Sequence, residues 1–472
     1  MKKRSETMDS VKAPSKKISQ AIVTIFGLSE ITALFVASLN TQHFAFYITD
    51  ILLISPLVMG TVLMVTRTFD IATILISSVV EERMNLKWGK YRSWLLIMIP
   101  LAFVAGIVQY SGLGATANAK LLVSAVGYVL FFGFFNFGRT AQMALLNTIG
   151  TTPEERATLS ARKAQFASMA GIILNATFIP LALYFSGGET KTDITGTAFF
   201  MTVIIFQVIY LAAQMGLFKG SKEYDLPVDE KSADAVAIKK NKLSGAEMVQ
   251  QIVKNPPLMF MLISETCKTV ASTLVLSMVI YYFRVVAGDL TLQPIFATSI
   301  SVAGFIGTLF AGQFLVKKLG KKTTYTLGFG ASALAVLMAR LFAGNNTFIF
   351  IAIMCVGWFF YTSIATSGPA MFGDCVEYGK YKIGKEGRAF IMGLYTLPIK
   401  VGVLLAGGLS GFLLAAINYS AESTLTPELK AGLFNIITLA PAIVLGIGFV
   451  CALLYPLTEK RVKEIMASNR SK

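Results

Sequence analysis

Six ionisable residues stand inside long apolar stretches of this chain. Arg67 and Asp70 lie three apart in one stretch and Glu265 and Lys268 three apart in another, while Arg139 and Lys400 occupy two more. A charge at the centre of a bilayer costs roughly 2.5–3.5 kcal/mol on insertion scales. Chains keep such residues when they pair, face water or handle a polar cargo. Residues three apart share a helix face, so two readings open. In one, Arg67 neutralises Asp70 and Lys268 neutralises Glu265. In the other, the set lines a polar cavity: Asp70 is a protonatable or cation-binding carboxylate, and Arg67, Arg139 and Lys400 donate to hydroxyls or to an anionic group. The first reading leaves Arg139 and Lys400 without carboxylates from their own helices. A carboxylate beside cations responds to the arrival of a proton, a cation or a cargo.

Glu30 and His43 are lesser ionisable candidates in the first stretch. Asn136, Gln142, Trp358 and Tyr361 offer the polar forks and aromatic faces that sugar recognition joins, with plain packing as the alternative for each. The four cysteines make no C-x-x-C pair and no zinc spacing, so no metal centre is expected. Gly407 and Gly411, four apart, suit close helix packing.

The elements that must position these residues are twelve apolar segments, each long enough to cross a bilayer as a helix. They are read at 19–47, 55–80, 94–111, 120–148, 163–186 and 196–218, then 258–283, 293–316, 323–342, 347–373, 388–416 and 432–457. Only 14% of residues are charged and the mean hydropathy is +0.65, far from a soluble composition. The net charge of +16 would suit nucleic acid, but its placement argues otherwise. Of the 42 Lys and Arg, 33 fall in alternate loops and the two tails. That is the mark of cytoplasmic loops, so both termini and the central loop are expected in the cytoplasm. The basic first 17 residues lead into an apolar stretch too long for a cleavable signal. The expected organisation is a tail (1–18), a six-helix bundle (19–218), a central loop (219–256), a second bundle (257–458) and a tail (459–472).

The halves echo one another. Short basic loops turn on Gly89 and Gly320, 231 residues apart, and YITDIL (47–52) matches YYFRVV (281–286) at an offset of 234. Repeats at half-chain spacing mark transporter folds with a site between the repeats. No phosphate-binding G-x-x-x-x-G-K-[ST] occurs, so the sequence supports neither ATP-driven pumping nor a cofactor.

The stretch GDCVEYGKYKIGKEGRAFIMGLYTLPIKVG (373–402) resembles the glycoside–pentoside–hexuronide:cation symporter family, relatives of melibiose permease in the major facilitator superfamily. RTFD (67–70) followed by KWGKYRSW (87–94), and PEERATLSARKAQFAS (153–168), resemble it too, in the right order across both halves. The resemblance implies an all-α fold of two pseudo-symmetric six-helix bundles that moves a sugar with a cation by alternating access. It makes Asp70 the first helix-two aspartate of the cation site and Lys400 the helix-eleven lysine near it. Gly89, Lys90 and Arg92, with Asp374, Glu377 and Arg388, are read as the cytoplasmic gate. The family's second helix-two aspartate is missing, for Thr73, Ile74 and Leu75 stand there, and its helix-four aspartate falls at Thr140. Its helix-five arginine falls near Arg162 or Lys163. A proton is therefore expected over sodium. Arg139 and Lys268 would suit an anionic cargo such as a uronic-acid glycoside.

The expectation is a multi-pass carrier of the cell membrane importing a sugar or glycoside, with Asp70, Lys400 and Arg67 as coupling group. Arg139, Asn136, Glu30, Glu265, Lys268, Trp358 and Tyr361 are the substrate candidates. The bilayer is its setting, no nucleic acid is expected, and a monomer is compatible with it. An uncoupled facilitator, a carrier of an amphipathic lipid-like cargo, a membrane enzyme and a sensor are the rival readings.

Overall fold

The computed structural model describes residues 18–84, 86–150, 152–187, 192–225, 250, 252–344, 346–384, 391–392, 394–422 and 425–470. The tail 1–17, most of the central loop and the gate candidate Arg388 lie outside the described residues. Among the described residues, twelve helices are long and apolar enough to cross a membrane. They are α1 (Gln20–Gln42), α2 (Pro56–Arg83), α3 (Arg92–Tyr110), α4 (Ala117–Ile149), α5 (Pro153–Phe185) and α6 (Gly196–Gly220). The second set is α7 (Pro256–Tyr281), α8 (Leu292–Phe310), α9 (Lys321–Phe342), α10 (Thr347–Ile383), α11 (Leu397–Ala416) and α12 (Pro427–Leu454). A thirteenth, α13 (Glu459–Arg470), is amphipathic and lies against α10.

Several ends differ from the hydropathy reading because caps, not apolarity, set them. α5 starts ten residues early, at a capping box in which Thr152 and Glu155 satisfy each other's backbone N–H groups. Arg162 and Lys163, at the edge of the stretch read from 163, are therefore well inside that helix. α10 runs ten residues past its apolar stretch to Gly384, which is left-handed at φ +78°, so Asp374 and Glu377 are helical. α11 begins only at Leu397, which puts Lys400 in its first turn rather than its middle.

The helices form two bundles. In the first, α1 packs on α5 and α6, and α3 on α4; in the second, α7 packs on α12, and α9 on α10 and α12. The bundles meet where α2 lies along α11 and α5 along α8. One end of the molecule carries Ser19, the α6 exit and α13; we call it the basic end and its opposite the distal end. At the distal end α2 and α11 touch through glycine. A Cβ on Gly60 would sit 2.9 Å from Gly411 Cα, and one on Gly407 would sit 3.1 Å from Leu63 Cβ. Such contact needs residues without side chains.

Candidate functional site

Going along the α2–α11 seam from the distal end, the glycine contact gives way to polar groups. The Arg67 guanidinium donates to Val403 O (2.9 Å), and its Nε is buried without a partner. Arg67 does not neutralise Asp70, as the same-face spacing suggested; it turns to the α11 backbone instead. One turn on, half-way along α2, Lys400 Nζ reaches both Asp70 oxygens at 2.9 and 2.7 Å. Asn136 Nδ2 on α4 donates to Asp70 Oδ1 (2.8 Å) and to Thr73 Oγ1 (2.8 Å). Asp70 is 6% exposed. The pair joins the two bundles at mid-depth, and among the described residues no other ion pair does so there. The first turn of α11 is the positive end of a helix dipole, so a carboxylate is favoured beside it and Lys400 is not.

The other mid-helix charges are neutralised inside single bundles. Arg139 makes a two-pronged contact with Glu30 on α1 (2.6 and 2.7 Å) and donates to Gln142 Oε1 (2.8 Å). Gln142 in turn donates to Ser29 Oγ (2.8 Å). Lys268 pairs with Glu265 as expected, and Tyr325 on α9 donates to Glu265 Oε1 (2.9 Å). Gly368 leaves room for that carboxylate, since a Cβ there would stand 2.6 Å from Oε1. Arg139 and Lys268 are thus both engaged, and neither is the free cation that an anionic cargo would want. Ser29–Glu30 and Ser264–Glu265 are the same dipeptide at nearly the repeat offset. The repeat therefore puts one buried glutamate in the first helix of each half and supplies each with its own cation.

Removing one partner of such a pair strands the other charge. Glu30→Gln is expected to lower stability by about 3 kcal/mol or more, read by denaturant unfolding of the detergent-purified protein. Glu30→Gln/Arg139→Gln should recover most of it. An unchanged single variant would mean the pair contributes nothing.

Trp358 and Tyr361 stack on each other, centroids 5.0 Å apart. They line a hole of about 20 Å³ among Ser272, Ser332, Met354 and Leu445 inside the second bundle. That is room for one water, not for a sugar ring. His43 is buried and stacked on Phe178.

The glycine loops prove to be capped corners. Gly89 has φ +129°, and a Cβ there would collide with the Asp225 backbone. Asp225 Oδ2 accepts the Tyr91 and Arg92 N–H groups (both 2.7 Å), holding the start of α3. Arg92 covers the Phe218 ring at 4.5 Å and Lys90 the Tyr91 ring at 5.4 Å. In the other half Gly320 has φ +81°, and Glu459 Oε1 accepts the Lys321 N–H (2.9 Å) at the start of α9. Lys321 Nζ also reaches Asp374 (2.8 and 2.7 Å), and Glu377 accepts from Asn469 on α13 (3.2 Å). These gate candidates therefore hold their own halves together. The reading of the sequence missed Asp225 and Glu459, though they stand 234 residues apart, the offset of the tyrosine segments.

At the distal end those tyrosine segments are both π-helical turns, Tyr47–Ile51 after α1 and Tyr282–Val286 after α7. Asp50 in one pairs with Arg284 in the other, again 234 residues apart. Tyr419 donates to Asp50 Oδ1 (2.7 Å), Thr49 bonds Asp50 Oδ2 (2.6 Å) and meets Tyr281 OH (2.8 Å), and Asp193 approaches Arg284 at 3.5 Å. Among the described residues, the ion pairs that join the halves all lie between mid-depth and this end.

Two pseudo-symmetric bundles, zipped at one end and held by an ion pair across the seam, define a membrane carrier. The chain belongs to the MFS/sugar transport protein family, whose model matches residues 25–459. It is 26% identical over 458 residues to a putative sulfoquinovose importer of Salmonella typhimurium, covering 94% of this chain and 91% of that one. It is 23% identical to the glucuronide carrier protein homolog of Escherichia coli, covering 97% of each. Among solved structures it resembles a bacterial homologue of the human lysosomal transporter Spinster, inward-facing and unoccupied, with a TM-score of 0.64 over 95% of this chain and 97% of that one. At 11% identity that likeness bears on the fold.

Proposed function

We propose that this carrier imports an anionic sugar or glycoside together with a proton, through the cell membrane, with the basic end in the cytoplasm. The observation that carries the reading is the Asp70–Lys400 pair spanning the two bundles. An anionic cargo competes for Lys400, beside a helix end that favours negative charge. Asp70, left without its cation in a low-dielectric seam, then takes a proton. Cargo and proton thus load together, and each substitutes for part of the contact that held the halves. A ligand shifts such an equilibrium only by its different affinity for the two states. Loss of the pair in the loaded state is that difference.

The charge balance supports an anion. Among the described residues, Arg67 and Lys163 are left over after Glu30, Asp70 and Glu265 have taken Arg139, Lys400 and Lys268, and Lys163 Nζ donates to Met143 Sδ (3.0 Å). The relatives named for sulfoquinovose and glucuronide point to sugars with an acidic group. Sodium is disfavoured because Ile74 occupies the place of the second carboxylate in melibiose-type relatives.

The test is uptake into proteoliposomes of paired neutral and acidic glycosides, with proton and sodium gradients imposed separately. Acidic glycosides should accumulate with acid outside and gain nothing from sodium. Equal handling of both classes would overturn the anion assignment. Equilibration without accumulation would select the second reading, an uncoupled facilitator, which the apolar Ile74 favours.

A further inference from the structure

Asp70 is not the last carboxyl on its face of α2. Eleven residues on, three turns and about 16 Å toward the basic end, stands Glu81, which projects from the same side of the helix as Asp70. It is 1% exposed, and both carboxylate oxygens are without a hydrogen-bond partner. Buried carboxyls are ordinarily paired, and the other carboxylates buried in this protein's bundles are. Between the two acids the seam with α4 is lined by hydroxyls. Thr73 Oγ1 accepts from Asn136, and Ser77 Oγ lies 3.1 Å from Thr140 Oγ1. Ser77 is also on the Asp70 face, two turns along.

We infer that Glu81 is the proton-release group of the carrier, receiving the proton that leaves Asp70 and passing it to water at the basic end. The inference rests on the proton-coupled reading above. Lys400 returns to Asp70 as cargo leaves, the Asp70 O–H bond breaks, and the proton moves through waters held by the Thr73, Ser77 and Thr140 hydroxyls. Opening of the basic end has by then hydrated Glu81, broken its own O–H bond and released that proton to water, so the incoming proton re-forms an O–H bond on the vacated carboxylate oxygen and leaves at the next opening. Glu81 stands directly after the apolar stretch of α2, which runs to Val80. Burial alone pushes its carboxyl up to about 9, and no charged neighbour contributes. It therefore holds a proton at neutral pH while covered and gives it up once water reaches it. Asp70 and its partner Lys400 lie three turns back along the same face.

Two measurements on the full-length protein test this. Infrared spectra of the reconstituted carrier between pH 6 and about 10 should show a protonated-carboxyl stretch that disappears near pH 9 and is missing in Glu81→Gln. A band unchanged by the substitution would overturn the assignment. In transport, with tritiated methyl glucuronide as probe, Glu81→Gln should slow proton-driven net uptake at least ~10-fold while exchange at equal pH, which needs no proton release, stays near wild type. Equal loss of both fluxes would make Glu81 merely structural, and undiminished net uptake would exclude it from the path. If the unsubstituted carrier itself ignores the proton gradient, the coupling reading falls, and that result is separate from either outcome for Glu81.

Discussion

Asp70→Asn is expected to abolish accumulation of cargo while leaving exchange across the membrane measurable. The substitution removes the group that carries the proton and strands Lys400, whose carboxylate partner among the described residues is Asp70. Breaking a buried pair by deleting one partner costs about 3–5 kcal/mol, which is roughly two to nearly four decades in the balance of states. Net uptake driven by a proton gradient should fall at least about 100-fold. Asp70→Asn/Lys400→Gln removes both charges and should recover stability in detergent but not accumulation. That separation of folding from coupling is the informative result. Wild-type accumulation by the single variant would remove Asp70 from the mechanism.

The second large effect belongs to the distal closure. Asp50→Asn leaves Arg284 facing Tyr419 and Asp193 without its buried carboxylate, so the two π-helical turns lose their central contact. The distal end should then stand open far more often, by about 100-fold if ~3 kcal/mol is lost. Ile54 is buried and lines a distal cavity of about 320 Å³ with Thr49, Ser55 and Tyr419. A cysteine at Ile54 reports on this opening through its rate of reaction with a membrane-impermeant maleimide. Asp50→Arg/Arg284→Asp should restore slow labelling, because the two positions are repeat equivalents and the swap exchanges like environments. Labelling of the Asn variant at the parental rate would show that the closure rests on packing alone.

How much of this was legible in the sequence follows from which interactions are local. Apolar runs gave all twelve spans, and the spacing of Glu265 and Lys268 on one helix face gave their pairing. Partners on different helices have no spacing to read. Glu30 and Arg139 lie 109 residues apart, and Arg67 and Asp70, which spacing would pair, turn to separate groups on α11. The charges alone set Asp70 and Lys400 in one polar cavity, and resemblance to a family set them beside one another. Helix ends set by capping, as at Thr152 and Gly384, lay beyond any hydropathy window. The repeat was the richest unused signal. Applied to every charged residue, its offset of about 234 would have aligned Asp50 with Arg284, Asp225 with Glu459 and Glu30 with Glu265. Glu81 carried no such mark, because a carboxyl near the end of an apolar run reads as an ordinary surface residue until its burial is seen.

The carboxylates at the glycine corners have a mechanical consequence. Asp225 follows the sixth helix and grips the start of the third; Glu459 follows the twelfth and grips the start of the ninth. Each half is in effect buckled shut by its own trailing segment, so a push at one rim travels through it as rotation instead of dissipating as bending. In the proposed carrier, stiffness of that kind would turn a few ångströms of motion around its cargo into a full swing at either mouth.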